Sequence, residues 1–569
     1  MQNFKKSLIA VFLVIVLFMT ACSKAGFPER FGEVKESNGQ TAKNKEEISS
    51  NTKITLRIMI PVGPLEPPEP NDKLIFQRWE EATGIHIDWI TIPSDIFGEK
   101  RNLAFTSGEL PDAIFNAGIG EYDLQKLGAD GQIIPLNDII EKYMPNFKKV
   151  LEERPIYEAM ITAPDGNIYA LPWIEELGWG KENIHSVNNI PYINVEWLQK
   201  LGLKMPETTD DLKNVLKAFK QHDPAGGGKT IPMSFINSIG GNEDLGFLFG
   251  SFGLGINWDL TLVSDDGKVI FAASDDGYKE AVKYIHELWQ EGLIDHEAFT
   301  QDWNTYVAKG QEQRYGLYFT WDKGNVTGMV DEYEPAFEMG KKWPDDLKDP
   351  YQPMPPLKGP NGWINVARNN GIGLDRGRFV ITSANKNIEA TAKWIDYAYD
   401  PIQSPQNNWG TYGDTTQQNV FEFDEEKQML RHLPLEGTAP AEIRVKTSVG
   451  GPLAILDSYY NKYVTLPDDA HWRLDILKHM YVPYMKAEDI YPRVYFTREE
   501  LERLSAIEAD LNSYVLQKRT EWIQNGKVDE EWDNYLKELD RLGLQEWLKI
   551  KQDGYDRYQT TIAKIENKW

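Results

Sequence analysis

Between Ile54 and Phe115 the sequence switches repeatedly between two hydrophobic periods, and no other feature restricts the fold of this chain as strongly. Ile54-Thr55-Leu56-Arg57-Ile58-Met59-Ile60 repeats every two residues, as a strand does. A proline-rich loop, Pro61 to Pro70, leads to a helix expected from Lys73 to Ala82, stopped by Gly84. Ile85 to Ile92 alternates as a second strand, a helix is expected near 97–106, and Ala113-Ile114-Phe115 is a short third strand. A β-α-β-α-β order specifies an open α/β sheet, and such sheets bind ligands at the carboxyl ends of their strands. Asn116 to Gly120 would lie at one such end.

A chain of 569 residues exceeds one hydrophobic core, so at least two domains are expected. The join is expected at Asp165 to Glu176. There a turn, Asp165-Gly166-Asn167, precedes the β-prone run Ile168 to Leu171, which Pro172 should end because proline cannot donate to a ladder. Trp173, Glu175 and Glu176 follow. They fit the wall of a cleft between two lobes, or equally a buried edge strand and a solvated hinge. Further on, Thr208 with Asp211 caps a helix bearing Leu212, Val215, Leu216 and Phe219, and Thr497 with Glu500 opens a helical C-terminal region.

Net charge is −26, and removal of residues 1–21, which carry Lys5 and Lys6 and no acid, would take it to −28. Such a surface repels nucleic-acid phosphates and names no partner. Lys5 and Lys6 precede an apolar run, Leu8 to Met19, too short to span a membrane but suited to export. Met19-Thr20-Ala21-Cys22 resembles the lipobox of bacterial lipoproteins, which implies cleavage before Cys22 and its acylation. Cys22 is the only cysteine, which excludes disulfides and thiolate catalysis elsewhere. Residues 23–52 have too few large apolar side chains to offset ordering and fit a flexible tether.

Several phrases, taken in order, resemble the family 1 extracellular solute-binding proteins of bacterial ABC importers, above all the large lipoprotein branch that delivers oligosaccharides. They include S-G-E-L-P-D-A-I (107–114), I-I-P-L-N-D-I-I-E-K-Y-M-P-N (133–146), D-G-N-I-Y-A-L-P (165–172), W-L-Q-K-L-G-L-K-M-P-E-T (197–208), E-G-L-I-D-H-E-A-F (291–299) and W-I-D-Y-A-Y-D-P (394–401). The resemblance implies a two-lobed periplasmic-binding-protein type II fold with discontinuous lobes joined by a hinge. The lobes are expected at 53–171 plus 371–450 and at 172–370 plus 451–569. It also implies a monomer on the outer face of the cell membrane that closes on an oligosaccharide and passes it to an ABC permease. One departure stands out. The branch often carries a calcium loop of the form D-P-N-G-N-G-K-x-D-E-I-P. Here Asp223 is followed by Ala225 and Gly227 where the pattern has asparagines, and the Asp-Glu pair is missing. No structural calcium, and no cofactor, is expected.

Sugar rings stack their apolar C–H faces on aromatic planes, while their hydroxyls need carboxylate and amide partners. Of eighteen tryptophans, Trp79, Trp289, Trp394 and Trp532 fall on helical stripes and fit the core. Trp173, Trp258, Trp321, Trp363 and Trp409 fall at strand exits or in loops, beside Glu175, Asp322 and Tyr412. Together with Asn116 and Glu176 these are the candidate ligand contacts, packing between lobes being the alternative for each. Gly228-Lys229-Thr230 copies the tail of a phosphate loop, but Asp223 replaces its first glycine. No H-E-x-x-H or G-x-S-x-G motif occurs. A secreted glycosidase or lyase with paired carboxylates among Glu175, Glu176 and Asp322 is the main rival, and a cell-wall scaffold the second.

Overall fold

The computed structural model describes residues 54–254, 260–321, 323–328, 349–435, 440–486 and 490–566. Two mixed sheets organise it. Their strands are β1 (Thr55–Val62), β2 (His86–Pro93), β3 (Ala113–Phe115), β4 (Leu171–Glu175), β5 (Ile190–Asn194), β6 (Ile231–Met233), β7 (Tyr315–Thr320), β8 (Tyr351–Pro353), β9 (Gly373–Ile381) and β10 (Leu453–Ile455). The first sheet has the order β10-β4-β9-β3-β1-β2 and the second β8-β5-β7-β6. In the first, β9 runs antiparallel to β3 and β4 while the other pairs are parallel. The chain therefore leaves the first sheet after β4, returns at β9, and leaves again after β10. This is the two-lobed type II architecture that the strand order and the resemblance call for.

The crossings fall later than expected. Strand β4 begins at Leu171 and runs through Pro172, where a stop was expected. The reason lies about two hundred residues downstream. The β4–β9 register shifts between Asp375 and Phe379, so a bulge faces Pro172 and asks no N–H of it. Residues 172–175, and likewise Leu453–Ile455, thus belong to the first sheet.

Local signals build the elements as the sequence indicates. Gly84 and Gly108, both with positive φ, end the helices Leu74–Thr83 and Phe97–Ser107. Reciprocal capping boxes open Thr209–His222 and Arg498–Asn525. The core of the first lobe centres on Trp79 and Trp394, whose rings meet edge to face 5.0 Å apart against Phe115. Helices Arg498–Asn525, Val528–Arg541 and Leu544–Glu566 close the chain. The first is tied to the second lobe by the buried Arg519, whose Nη2 lies 3.0 Å from Asp244 Oδ1. It also reaches the first lobe, where Tyr122 donates to Glu502 at 2.8 Å. Among the described residues no helix is long and apolar enough to cross a membrane.

Candidate ligand-binding cleft

Trp173 and Glu175 lie two apart on β4 and so share a face. One side chain from the helix Gln403–Trp409 joins them. The Trp173 indole N–H donates to Asn408 Oδ1 at 3.2 Å, and Asn408 Nδ2 donates to Glu175 Oε1 at 2.8 Å. The approach requires glycine at 373, where a Cβ would stand 2.5 Å from the Glu175 carbonyl and 3.3 Å from the Trp173 ring. The neighbouring Trp409 is only 7% exposed and packs among Phe421, His432 and Tyr460. Tyr412 stacks on Phe423, with ring centroids 5.1 Å apart, beneath the Arg78 guanidinium at 4.2 Å. Four of the candidates therefore gather at one corner of the first lobe, with Trp173 and Glu175 partly open and Trp409 inside.

Glu176 turns the other way and is 1% exposed. Its Oε1 accepts from the Tyr157 hydroxyl at 2.8 Å and from Arg154 Nε at 3.2 Å, and its Oε2 accepts the Asp457 N–H at 2.8 Å. Burial lifts its carboxyl above the usual range, against the pull of the Asp457 N–H, Arg154 and Tyr157. The carboxylate pins the end of β4, the helices before it and the segment after β10 at two of the three crossings. Asn116 is also engaged by the protein. Its Nδ2 donates to the Val449 carbonyl at 3.0 Å, and its Oδ1 accepts the Gly451 N–H at 2.6 Å. With φ at +51° it holds two loops together at the carboxyl edge.

In the second lobe Trp321, at the exit of β7, is partly open. The His185 ring stacks on it 4.9 Å away, and the Arg473 guanidinium lies 3.9 Å from its centre. Arg473 Nη2 also donates to the Trp321 carbonyl at 3.2 Å. Burial, reinforced by the Arg473 and Arg493 charges, pulls the His185 imidazole down to about 4. Trp363 is the most open candidate at 50% exposure, beside Gly253 and the Lys486 ammonium. Trp258, Asp322 and Cys22 lie outside the described residues.

A cavity of about 280 Å³ opens where the first lobe, the second crossing and the segment before the last helices meet. Glu121, Asn370, Arg376, Tyr491, Arg493 and Lys551 line it. Arg376, in the bulge of β9, holds it together by donating to the Met160 and Arg493 carbonyls, each at 2.5 Å, and by pairing with Glu121. None of the sequence-derived candidates lines this cavity, and sequence reasoning missed Asn408, His185, Arg376 and Arg473 altogether. Their partners are remote in the chain, so no local pattern marked them.

Two mixed sheets joined by three crossings, with aromatic rings and amides at the carboxyl edge, define a two-lobed binding protein. Residues 66–404 match the bacterial extracellular solute-binding protein family, and the chain belongs to it. It is a solute-binding protein and not an enzyme. It is 57% identical over 509 residues to the fructooligosaccharide ABC transporter substrate-binding protein FusA of Streptococcus pneumoniae, covering 89% of this chain and 91% of that protein. Solved structures of S. pneumoniae FusA, with kestose and, as an EF-hand mutant, with fructo-nystose, are each 56% identical. Each superposes with a TM-score of 0.74, covering 89% of this chain and 99% of theirs. Lipoprotein LipO of Bacillus subtilis is 28% identical, covering 64% of this chain and 68% of that protein.

Proposed function

We propose that this protein is a lipid-anchored receptor that captures a fructo-oligosaccharide between its lobes and hands it to an ABC permease. The observation that carries this reading is the 57% identity to a fructooligosaccharide-binding protein along 89% of the chain. Trp173 and Trp363, each at least partly open, would supply ring faces together with Trp258, while Trp321, already stacked by His185 and Arg473, would act as a support. Glu175 and Asp322 would accept sugar hydroxyls. Glu176, Trp409, Tyr412 and Asn116 would act as supports, because the protein already occupies their polar atoms or ring faces. Closure would be a hinge motion about the crossings near 176, 372 and 456, driven by contacts that exist only when both lobes touch the sugar. Cleavage after Ala21 and acylation of Cys22 would hold the receptor, as a monomer, on the extracytoplasmic face of the cell membrane.

A thermal-shift panel tests the ligand class. Kestose and longer fructo-oligosaccharides should stabilise the protein by about 2.7 kcal/mol at a hundredfold excess over the dissociation constant. Alginate-, pectin- and N-glycan-derived oligomers should leave it unchanged. A response to one of those and none to fructans would reassign the sugar. Intact mass of the membrane-extracted protein tests the anchor: a diacylglycerol adduct on a chain beginning at Cys22 is expected, and an unmodified cysteine there would refute it.

A further inference from the structure

The helix Thr209–His222 ends at Asp223, which has φ +44° and opens the loop where the resemblance leads one to expect calcium. Counted from that aspartate, a loop of EF-hand type draws oxygen from positions 3 and 5, a backbone carbonyl at 7, position 9 and a bidentate carboxylate at 12. The corresponding residues are Ala225, Gly227, the Lys229 carbonyl, Ile231 and Ser234. Asp223 is the only carboxylate, and both of its oxygens are taken. Oδ2 accepts the Gly228 N–H at 2.6 Å and Oδ1 the Thr230 N–H at 3.1 Å. The Ser234 hydroxyl is buried and donates to Asp295 at 2.9 Å. A hard divalent cation wants six to eight oxygens, so this donor set does not fit one. Among the described residues no group of three or more His, Cys, Asp or Glu could hold a metal ion.

The loop is nevertheless tied at Asp223, Ala225, Lys229 and Ile231, four of the positions where a metal would tie it. The Thr230 hydroxyl accepts the Ala225 N–H at 3.0 Å and closes the turn. Arg314, just before β7, grips the other side: its Nε donates to the Lys229 carbonyl at 3.1 Å, and its own carbonyl accepts the Ile231 N–H at 2.8 Å. The carbonyl at the position of the backbone metal ligand thus already faces a cation, one carried by the protein.

We propose that residues 223–230 form a cation-independent clasp in which the Arg314 guanidinium takes the metal's place and fastens the loop to the second sheet. A charge-assisted hydrogen bond to a carbonyl does locally what a bound ion does, without depending on the ion's concentration. The full-length protein tests this directly. Its melting temperature should be the same in EDTA, in millimolar Ca²⁺ and in millimolar Mg²⁺, and Tb³⁺ luminescence should show no saturable site. Arg314→Met, which keeps the aliphatic stem, should lower the melting temperature and still give no calcium response, and Arg314→Lys should recover part of the loss. Asp223→Asn should lower it independently. A melting temperature that falls in EDTA or rises with Ca²⁺ would overturn the proposal. So would an Arg314→Met protein as stable as the parent.

Discussion

Acid should loosen this protein through His185, and the size of the effect follows from where the ring sits. The imidazole stacks on Trp321 with two guanidinium groups near it, and its folded-state pKa is about 4 against about 6.5 in an unfolded chain. Because the folded value is depressed, the unfolded chain takes up the proton first, and stability is lost as pH falls from about 6.5 toward 4. Between pH 7 and 4.5 the linkage amounts to roughly 2 kcal/mol, approaching about 3 kcal/mol at lower pH. Urea denaturation at half-unit pH steps, on the parent and on His185→Gln, isolates this contribution from other titrating groups. The difference in unfolding free energy between the two proteins should change by roughly 2 kcal/mol across that window, the parent losing more. If the two curves stay parallel from pH 7 to 4.5, His185 is not held neutral and the packing described around Trp321 is wrong.

Other perturbations have equally definite outcomes. Asn408→Ala should weaken sugar binding about tenfold, the equivalent of about 1.4 kcal/mol, because it removes the one side chain that bonds both the Trp173 indole and the Glu175 carboxylate. Asn408→Asp places a second acid beside Glu175, so its affinity measured by calorimetry should recover between pH 8 and pH 5 while the parent's stays flat. Glu176→Ala strands the Asp457 N–H and the Tyr157 hydroxyl and removes the nearer of the two carboxylates paired with Arg154, which should cost about 3 kcal/mol in urea denaturation. Arg519→Met leaves Asp244 buried without its cation and should cost about 3–5 kcal/mol, read in the same way.

The parts of this fold that the sequence announces are those built from neighbouring residues. The alternation at 54–115, the capping pairs Thr208/Asp211 and Thr497/Glu500, and the stops at Gly84 and Gly108 depend on contacts a few residues apart. Pro172 shows where that logic ends. Its effect depends on a bulge in β9 that no pattern near residue 172 encodes. The site was harder still. Trp173 and Trp409 look alike in sequence, each a tryptophan where an element stops, yet one lies partly open and the other inside a small core. Glu175 and Glu176 are adjacent, yet strand alternation sends one to Asn408 and the other to Tyr157 and Arg154. Which side of a strand meets the cleft depends on what the remaining lobe places there, and those partners come from residues 154 to 473.

The central claim is that the two lobes clamp an intact fructo-oligosaccharide. Isothermal titration calorimetry with kestose, followed by chromatography of the recovered sugar, tests it most directly. One saturable site per chain, with the trisaccharide recovered unchanged, is the predicted result. An absence of heat at protein concentrations that would reveal micromolar binding, or release of free hexose, would contradict it.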